Sequence, residues 1–361
     1  MTKIGLPALL KTMVDQEASD LHITVGVPPE FRIMGRMVKV KTDALTSQDT
    51  KELCYSVLTD AQKSELEKNL EIDFSFGVKD ISRFRGNLFY QKGAIGGVFR
   101  RIPLGIPDFD TLRLPPILKK LIKRPNGLIL VTGPTGSGKT TTLAAMLDLL
   151  NKEEFGHIMT VEDPIEFVHP HKNCVVNQRE VGVDTKSFGA ALKRLLRQDP
   201  DYILVGELRD AETIEMALTM AETGHLVFGT LHTNSAVQSI NRIINVFPPH
   251  QQAQIRSVLG FTLVGVVSQI LLPKSSGSGR CMACEVLIPT MGIRSLIRED
   301  KIHQIYSSMQ TGQDETGMQT MNQSLVNLVR SGALNKNDAT EYSFMPDEIK
   351  KLLVNVTEGK A

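Results

Sequence analysis

The sequence predicts an α/β protein in which a small α+β domain precedes a larger domain built on a parallel-rich, doubly wound sheet. Three observations support this fold class. Strand and helix patterns alternate regularly after residue 114, strand patterns before residue 102 lack that alternation, and prolines cluster between the two regions. Regular alternation is typical of a parallel sheet, whereas irregular spacing favours an antiparallel one. We therefore expect a domain at 1–101, a linker at 102–113 and a second domain at 114–361.

The N-terminal region carries helical patterns and short strand patterns. Apolar residues recur at helical spacing within residues 1–20, and a second helical stretch begins at Thr46. Alternation of apolar and polar residues predicts the strands, which we place at 21–25, 31–33, 38–40, 72–76, 83–90 and 97–102. Because no regular helices separate these strands, we expect a largely antiparallel sheet.

The second domain opens with an apolar strand, a glycine-rich turn and a helix. The turn fits the pattern G-x-x-x-x-G-K-[ST] and consists of Gly133, Pro134, Thr135, Gly136, Ser137, Gly138, Lys139 and Thr140, with Thr141 continuing into the helix. Its glycines allow backbone N–H groups to turn inward at a helix N-terminus, which forms a nest for a triphosphate. Lys139 can then contact the β- and γ-phosphates of ATP, and the Thr140 hydroxyl can bind Mg²⁺. The sequence therefore predicts a nucleotide site.

The rest of the second domain continues the alternation of strands and helices. Strand patterns lie at 158–161, 202–205 and 226–231, and helical patterns lie near 188–197 and after Asp210. The apolar run 258–272 is shorter than the ~20 residues that span a bilayer, and it contains Gln269. We therefore predict a buried core helix for this run. The pattern after residue 291 is mostly helical.

Acidic residues and histidines stand at the ends of these strands. Glu162 and Glu207 each directly follow an apolar strand, and His225 and His232 flank the strand 226–231. Carboxyl ends of neighbouring parallel strands meet at one edge of a sheet, so we expect both carboxylates near the phosphates. Two histidines around one strand of a nucleotide domain favour a function over a structural role. Asp210 is equally well explained as a helix cap.

Composition and the cysteines limit the other classes of function. Lys and Arg total 41 against 40 acidic residues, and aromatics make up 5%, so we expect no nucleic-acid partner. No long apolar segment opens the chain, which indicates a reducing cytoplasm and free thiols. Cys281 and Cys284 have C-x-x-C spacing, but without a second pair we interpret them as strand residues. The guanine-type pattern at 335–338 lacks a preceding strand, which favours a loop or a helix cap.

Four motifs in order give the chain a family resemblance. GPTGSGKT, TVEDPIEF, LLRQDPDYILVGELRD and GHLVFGTLHT resemble the phosphate loop, Asp box, Walker B motif and His box of the secretion ATPase superfamily. Within it, ASDLH at 18–22 and GMQTMNQS at 317–324 resemble the type IV pilus retraction (twitching-motility) ATPases. The resemblance covers essentially the whole chain. It implies a homohexamer whose subunits join a PAS-like domain to a RecA-like motor, in the cytoplasm at the inner-membrane base of the pilus.

The resemblance also implies roles for individual residues. Glu162 becomes the general base, Glu207 becomes the Walker B acid, and His225 and His232 lie near the phosphates. Phosphoryl transfer gains from an added arginine, because negative charge develops on the transferred group. The arginines we consider within the motor are Arg194, Arg197 and Arg209, and those considered for donation in trans from a neighbouring subunit are Arg83, Arg100 and Arg101.

The function that the resemblance implies is ATP-driven pilus disassembly and retraction, with an inner-membrane platform protein as partner and the major pilin as indirect partner. Only residues 273–280 separate Leu272 from Cys281, which leaves no room for the four-cysteine zinc insertion of assembly and secretion relatives. The compact N-terminal region also favours a retraction ATPase over an assembly or secretion ATPase. Three alternatives stay open: a pilus-assembly or type II secretion ATPase, a nucleic-acid-directed motor, and a nucleotide-gated scaffold in which Glu162 and Glu207 are inert.

Overall fold

The structure is a computed structural model that describes residues 4–79, 81–102, 105–277, 279–311, 316–354 and 356. The chain divides into two units, Met1–Gly105 and Ile106–Ala361. The boundary falls within the proline-rich segment 102–113, of which residues 103 and 104 lie outside the described residues. Phe109, within that segment, and Leu114, directly after it, are buried in the core of the second unit.

The first unit is an α+β unit around an antiparallel sheet. The six strands lie in the order β3-β2-β1-β6-β5-β4, which confirms the predicted antiparallel arrangement. Its elements are α1 (Leu6–Asp15), β1 (Asp20–Ile23), β2 (Glu30–Ile33), β3 (Arg36–Lys39), α2 (Ser47–Tyr55), α3 (Asp60–Asn69), β4 (Glu71–Val78), β5 (Ser82–Gln91) and β6 (Ala94–Ile102). Leu10 and Met13 of α1 are fully buried with Phe84 and Phe99, so the helical spacing of the sequence places one apolar face against the sheet.

The second unit alternates strands with helices and then ends in helices. Its elements are α4 (Leu118–Leu121), β7 (Gly127–Thr132), α5 (Lys139–Glu153), β8 (His157–Glu162), β9 (Val175–Glu180), α6 (Phe188–Leu195), β10 (Tyr202–Val205), α7 (Ala211–Glu222), β11 (Leu226–Leu231), α8 (Ala236–Asn245), α9 (Pro249–Thr262), β12 (Leu263–Pro273), β13 (Arg280–Leu287), α10 (Met291–Arg298), a 3₁₀ turn (Ile302–Gln304), α11 (Ile305–Thr311), α12 (Met321–Arg330), α13 (Lys336–Glu341) and α14 (Pro346–Leu353).

The sheet of the second unit has seven strands in the order β13-β12-β7-β11-β10-β8-β9. All neighbouring pairs are parallel except β12 with β13, which confirms the predicted parallel-rich sheet. Along β7, Leu128 and Leu130 enter one apolar core, while Ile129 and Val131 enter a second. The sheet is therefore covered on both faces, and the phosphate-loop strand β7 lies inside it, between β12 and β11.

The prediction of one core helix over 258–272 is wrong. Helix α9 ends at Thr262, and the rest of the run is strand β12 between β7 and β13. A parallel strand buried on both faces is a continuous apolar run, and periodicity cannot distinguish it from a buried helix. The edge strand β9 was not predicted, because only its first two residues, Val175 and Val176, are apolar and the four that follow are polar.

Two sequence patterns have structural roles. Asn335 is the N-cap of α13 and accepts a hydrogen bond from the Asp338 amide at 2.8 Å, as expected for a cap. Cys281 and Cys284 both lie on β13, and all four cysteines are free thiols. Within the described ranges, no cluster of three or more His, Cys, Asp or Glu side chains could hold a metal ion. No helix in those ranges has the length and apolarity needed to cross a membrane.

Candidate active site

The phosphate loop joins β7 to α5 at the carboxyl edge of the sheet. Gly133 has a φ of 143°, and a Cβ there would lie 2.2 Å from the Gln269 carbonyl oxygen, so only glycine fits. Gly138 is the N-cap of α5 in the left-handed region, with a φ of 88°. The tip residues Pro134, Thr135 and Gly136 are exposed. The loop therefore presents backbone and a helix N-terminus to solvent, which is the arrangement that binds phosphate groups.

Lys139, Thr140 and Thr141 form the first turn of α5. The Lys139 ammonium donates hydrogen bonds to the carbonyls of Gly133 at 2.8 Å and Pro134 at 3.2 Å, which holds it over the loop. Burial lowers the pKa of Lys139, and the negative charges of Glu207 and Glu166 oppose that shift. Thr140 and Thr141 are half-buried beside it. A lysine charge and a hydroxyl thus lie at one end of the nest, which fits a magnesium–triphosphate group.

Glu207 follows β10 and is brought together with two other predicted residues. Its carboxylate lies 2.8 Å from the Arg209 guanidinium and 3.4 Å from Nε2 of His232. Burial raises the pKa of Glu207, but the hydrogen bonds and charges of Arg209 and His232 together outweigh it, so the pKa stays below its ordinary value. Leu208 donates its amide to the Thr230 carbonyl at 3.0 Å, which fixes this segment against β11. Glu207 is therefore held ionised at the carboxyl edge.

Glu162 is the last residue of β8 and lies at the same edge in a different environment. Its side chain is buried, and Oε1 accepts hydrogen bonds from Thr160 at 2.6 Å and from Gln178 at 3.0 Å. Burial raises the pKa of Glu162 above its ordinary value, although these two hydrogen bonds oppose the shift. A raised pKa suits a carboxylate that must accept a proton near neutral pH.

The structure does not bring His225 to the phosphate loop. His225 precedes β11 at the amino edge of the sheet, where its carbonyl accepts the Gly127 amide at 3.0 Å. His232 follows the same strand at the carboxyl edge, so the six residues of β11 separate the two histidines, a distance of roughly 20 Å. The expectation that His225 contacts nucleotide is wrong, because opposite ends of a parallel strand reach opposite edges of the sheet.

The predicted arginines occupy three different environments. Arg209 pairs with Glu207, whereas Arg194 and Arg197 are exposed at the end of α6. In the first unit, Arg83, Arg100 and Arg101 lie on the neighbouring strands β5 and β6. Arg100 pairs with the buried Asp20 at 2.8 Å, and Arg101 donates to the Val14 carbonyl at 3.4 Å.

Three residues of the site were not selected from the sequence. Glu166 acts electrostatically on Lys139, and it stands in the acidic motif that already contained Glu162. Gln178 orients Glu162 from the unpredicted strand β9. Gln269 on β12 donates a hydrogen bond to the Ser137 carbonyl. In the sequence, the only indication of a role for Gln269 was its position as a polar residue inside an apolar run.

A cavity of about 560 Å³ adjoins the loop in the second unit. Ser137, Gly138 and Thr141 form part of its wall, and Leu112 and Met282 contribute apolar surface. This volume lies within the usual range of small-molecule sites. The cavity therefore offers a space of suitable size for a nucleotide base beside the phosphate loop.

Comparisons with known proteins agree with this geometry. Residues 108–343 match the family described as Type II/IV secretion system protein. The chain is 49% identical to the type IV pilus retractation ATPase PilT of Pseudomonas aeruginosa, over 95% of this chain and 99% of that protein. It is 46% identical to a twitching motility protein of Neisseria gonorrhoeae, over 91% and 87% of the two chains. A crystal structure of the pilus retraction motor PilT with bound ADP superposes with a TM-score of 0.91 at 51% identity, covering 96% of this chain and 99% of that chain.

Proposed function

The chain belongs to the Type II/IV secretion system protein family, and on that basis we propose that it is an ATP-hydrolysing motor that drives type IV pilus retraction and twitching motility. The observation that carries the proposal is the convergence of Lys139, Glu162 and Glu207 on one sheet edge, beside a loop built for phosphate. End-to-end similarity to a pilus retraction ATPase supports the choice of pilus retraction.

In the proposed reaction, the loop amides and Lys139 hold the triphosphate, while Glu162 orients a water molecule and accepts its proton. The water oxygen attacks the γ-phosphorus, the bond to the β-phosphate oxygen breaks, and ADP and phosphate leave. The Thr140 hydroxyl would hold Mg²⁺ together with the phosphates, and a bound Mg²⁺ would supply positive charge there. Glu207 stays ionised beside Arg209 and His232, and its negative charge acts on the Lys139 ammonium.

The motor acts as a homohexamer in the cytoplasm, peripheral to the inner membrane, where it engages a platform protein at the pilus base and acts on the major pilin through it. Lys139 is one cation against a triphosphate, so an arginine donated in trans would add transition-state charge. Arg83, Arg100 and Arg101 are the candidates. Mixing Lys139→Ala subunits with an arginine variant should restore part of the ATPase activity if the arginine reaches the nucleotide of a neighbouring subunit. No recovery with any of the three arginine variants would contradict an arginine donated in trans.

A deletion strain tests retraction against assembly. Cells that lack a retraction motor should keep abundant surface pili and lose twitching, whereas loss of an assembly motor would leave cells without pili. A complemented strain that carries Lys139→Ala is the matched control, because it restores the protein without its proposed ATPase activity. Deletion cells without surface pili would place the protein among the assembly ATPases. ATPase activity stimulated by DNA would favour a nucleic-acid motor instead.

A further inference from the structure

Gln269 stands out as a buried polar side chain in an otherwise apolar strand. It is 1% exposed on β12, and its Nε2 donates a hydrogen bond of 2.7 Å to the carbonyl of Ser137. Its Oε1 has no hydrogen-bond partner among the described residues. The amide is therefore anchored through its NH₂ group. Rotating the amide by half a turn would place Oε1 against the Ser137 carbonyl oxygen, and neither atom could donate a hydrogen bond.

The residue before it contacts the other end of the phosphate loop. The hydroxyls of Ser268 and Thr132 lie 2.5 Å apart, and Thr132 is the last residue of β7. The backbone of Gly133 also passes close to the carbonyl of Gln269. Two consecutive residues of β12 thus hold the loop where it begins and where it ends, although β12 carries none of the nucleotide-binding motifs.

The Ser137 carbonyl matters because of the peptide unit to which it belongs. The C=O of Ser137 and the N–H of Gly138 share one plane and point in opposite directions. Gly138 adopts a φ of 88°, and glycine residues can reverse such a peptide at little steric cost. A reversed peptide would turn the Gly138 N–H towards Gln269 and direct a carbonyl oxygen towards the bound anion.

We propose that Gln269 is a positioning residue for ATP binding, and that its hydrogen bond to Ser137 keeps the Ser137–Gly138 peptide in the orientation that presents the Gly138 N–H to the phosphates. The inference rests on the proposed function, since it concerns the same nucleotide site. It assigns to β12, which is paired with β7 on one side and β13 on the other, a direct part in forming the anion nest.

The test replaces the amide while conserving side-chain size. In Gln269→Met the donor is lost, and in Gln269→Glu the donor is replaced by a group that repels the Ser137 carbonyl. Gln319→Met is the matched control, because Gln319 Nε2 also donates to a backbone carbonyl in this unit, that of Cys284 at 2.9 Å, outside the nucleotide site. ADP affinity is measured by titration calorimetry, and KM and kcat are measured by phosphate release.

For Gln269→Met we expect about a tenfold rise in the ADP dissociation constant and in the KM for ATP, as for one lost hydrogen bond, with kcat within about threefold. Gln269→Glu should lose more affinity, since it also adds negative charge near the phosphates. Gln319→Met should lower thermal stability without changing either constant. A structural role alone would lower the folded fraction, and with it kcat, in all three variants while KM stayed constant.

Folded Gln269 variants that bind ADP as tightly as the wild type would overturn the inference. A wild-type protein that fails to bind ADP would instead contradict the proposed function. If the variants do not fold, hydrogen exchange on the wild-type protein tests whether the Gly138 N–H faces the bound phosphates. ADP should then slow exchange of the Gly138 amide, resolved by overlapping peptides, and unchanged exchange at Gly138 would overturn the inference.

Discussion

At the carboxyl edge of the sheet in the second unit, His232 lies 3.4 Å from the Glu207 carboxylate, whereas at the amino edge Nδ1 of His225 lies 3.0 Å from the Met220 carbonyl. His157, also at the amino edge, repeats that pattern with the Asp199 carbonyl at 3.0 Å. The same residue type therefore faces a carboxylate at one edge and a backbone carbonyl at the other.

The difference follows from the direction of the chain. In a doubly wound sheet, loops leave the carboxyl ends of the strands and enter helix N-termini, which attract anions and acidic side chains. The amino edge receives helix C-termini, whose last carbonyls need hydrogen-bond donors. Met220 lies in the last turn of α7, and its carbonyl accepts the backbone N–H of His225 at 3.1 Å and also lies 3.0 Å from Nδ1 of the same residue. Position along a strand, more than residue type, determines which histidine can take part in chemistry.

The largest effect should come from the loop at the carboxyl edge. Lys139→Ala removes the cation that the Gly133 and Pro134 carbonyls hold over the nest, and we expect ATP turnover to fall by about 10²- to 10³-fold. Phosphate release by purified protein measures the loss, with circular dichroism as the check on folding. Turnover at the wild-type rate in a folded variant would show that the catalytic edge has been misassigned.

The two carboxylates at that edge should both be needed for turnover. Glu162→Gln and Glu207→Gln keep side-chain shape but remove the charge, so we expect each to bind ADP and to hydrolyse ATP about 10²-fold or more slowly. Calorimetric titration of ADP provides the control for binding. Rapid hydrolysis by both variants would place the general base elsewhere and support an inert scaffold.

The histidine pair tests the comparison of the edges directly. We expect His232→Gln to lower kcat by about tenfold, because it removes a neighbour of Glu207, while His225→Gln should stay within about twofold. His225→Gln should instead lower thermal stability, since a hydrogen bond to Met220 is lost. A large loss of turnover in the His225 variant alone would reverse the assignment of the two edges.

The smallest effects should be opposite shifts in stability. Because the pKa of Glu162 is raised in the fold, its favourable contribution is present below the ordinary value of 4.5 and is lost as the pH rises through the raised value. Glu162→Gln should therefore raise the melting temperature at neutral pH, by about 2–4 °C for each kcal/mol recovered. The pKa of Glu207 is lowered, so its contribution is present above 4.5 and is lost as the pH falls through the lowered value.

Glu207→Gln should accordingly lower the melting temperature at neutral pH. Scanning calorimetry from pH 4 to pH 8 compares both variants with the wild type. Shifts of the same sign would mean that the two carboxylates share one environment, and the contrast between buried Glu162 and paired Glu207 would then be lost.

Local patterns determined the parts of the fold that depend on short-range physics. The spacing of residues 133–140 predicted the turn and helix of the phosphate loop, because glycine conformations and a helix N-terminus act over a few residues. Apolar strands followed by acidic residues predicted Glu162 and Glu207 at one edge, since parallel strands have a common direction.

Features that depend on which strands are neighbours could not be predicted from local patterns. Strand β12 resembles a buried helix in sequence, and only its pairing between β7 and β13 makes it a strand and brings Gln269 to Ser137. Strand β9 supplies Gln178 to Glu162 across 16 positions of sequence. Opposite pKa shifts of two glutamates also required the fold, because burial and ion pairing arise from contacts between distant segments. Residue types and their local spacing thus define the chemical groups of the site, and packing between distant segments defines which residues hold those groups in position.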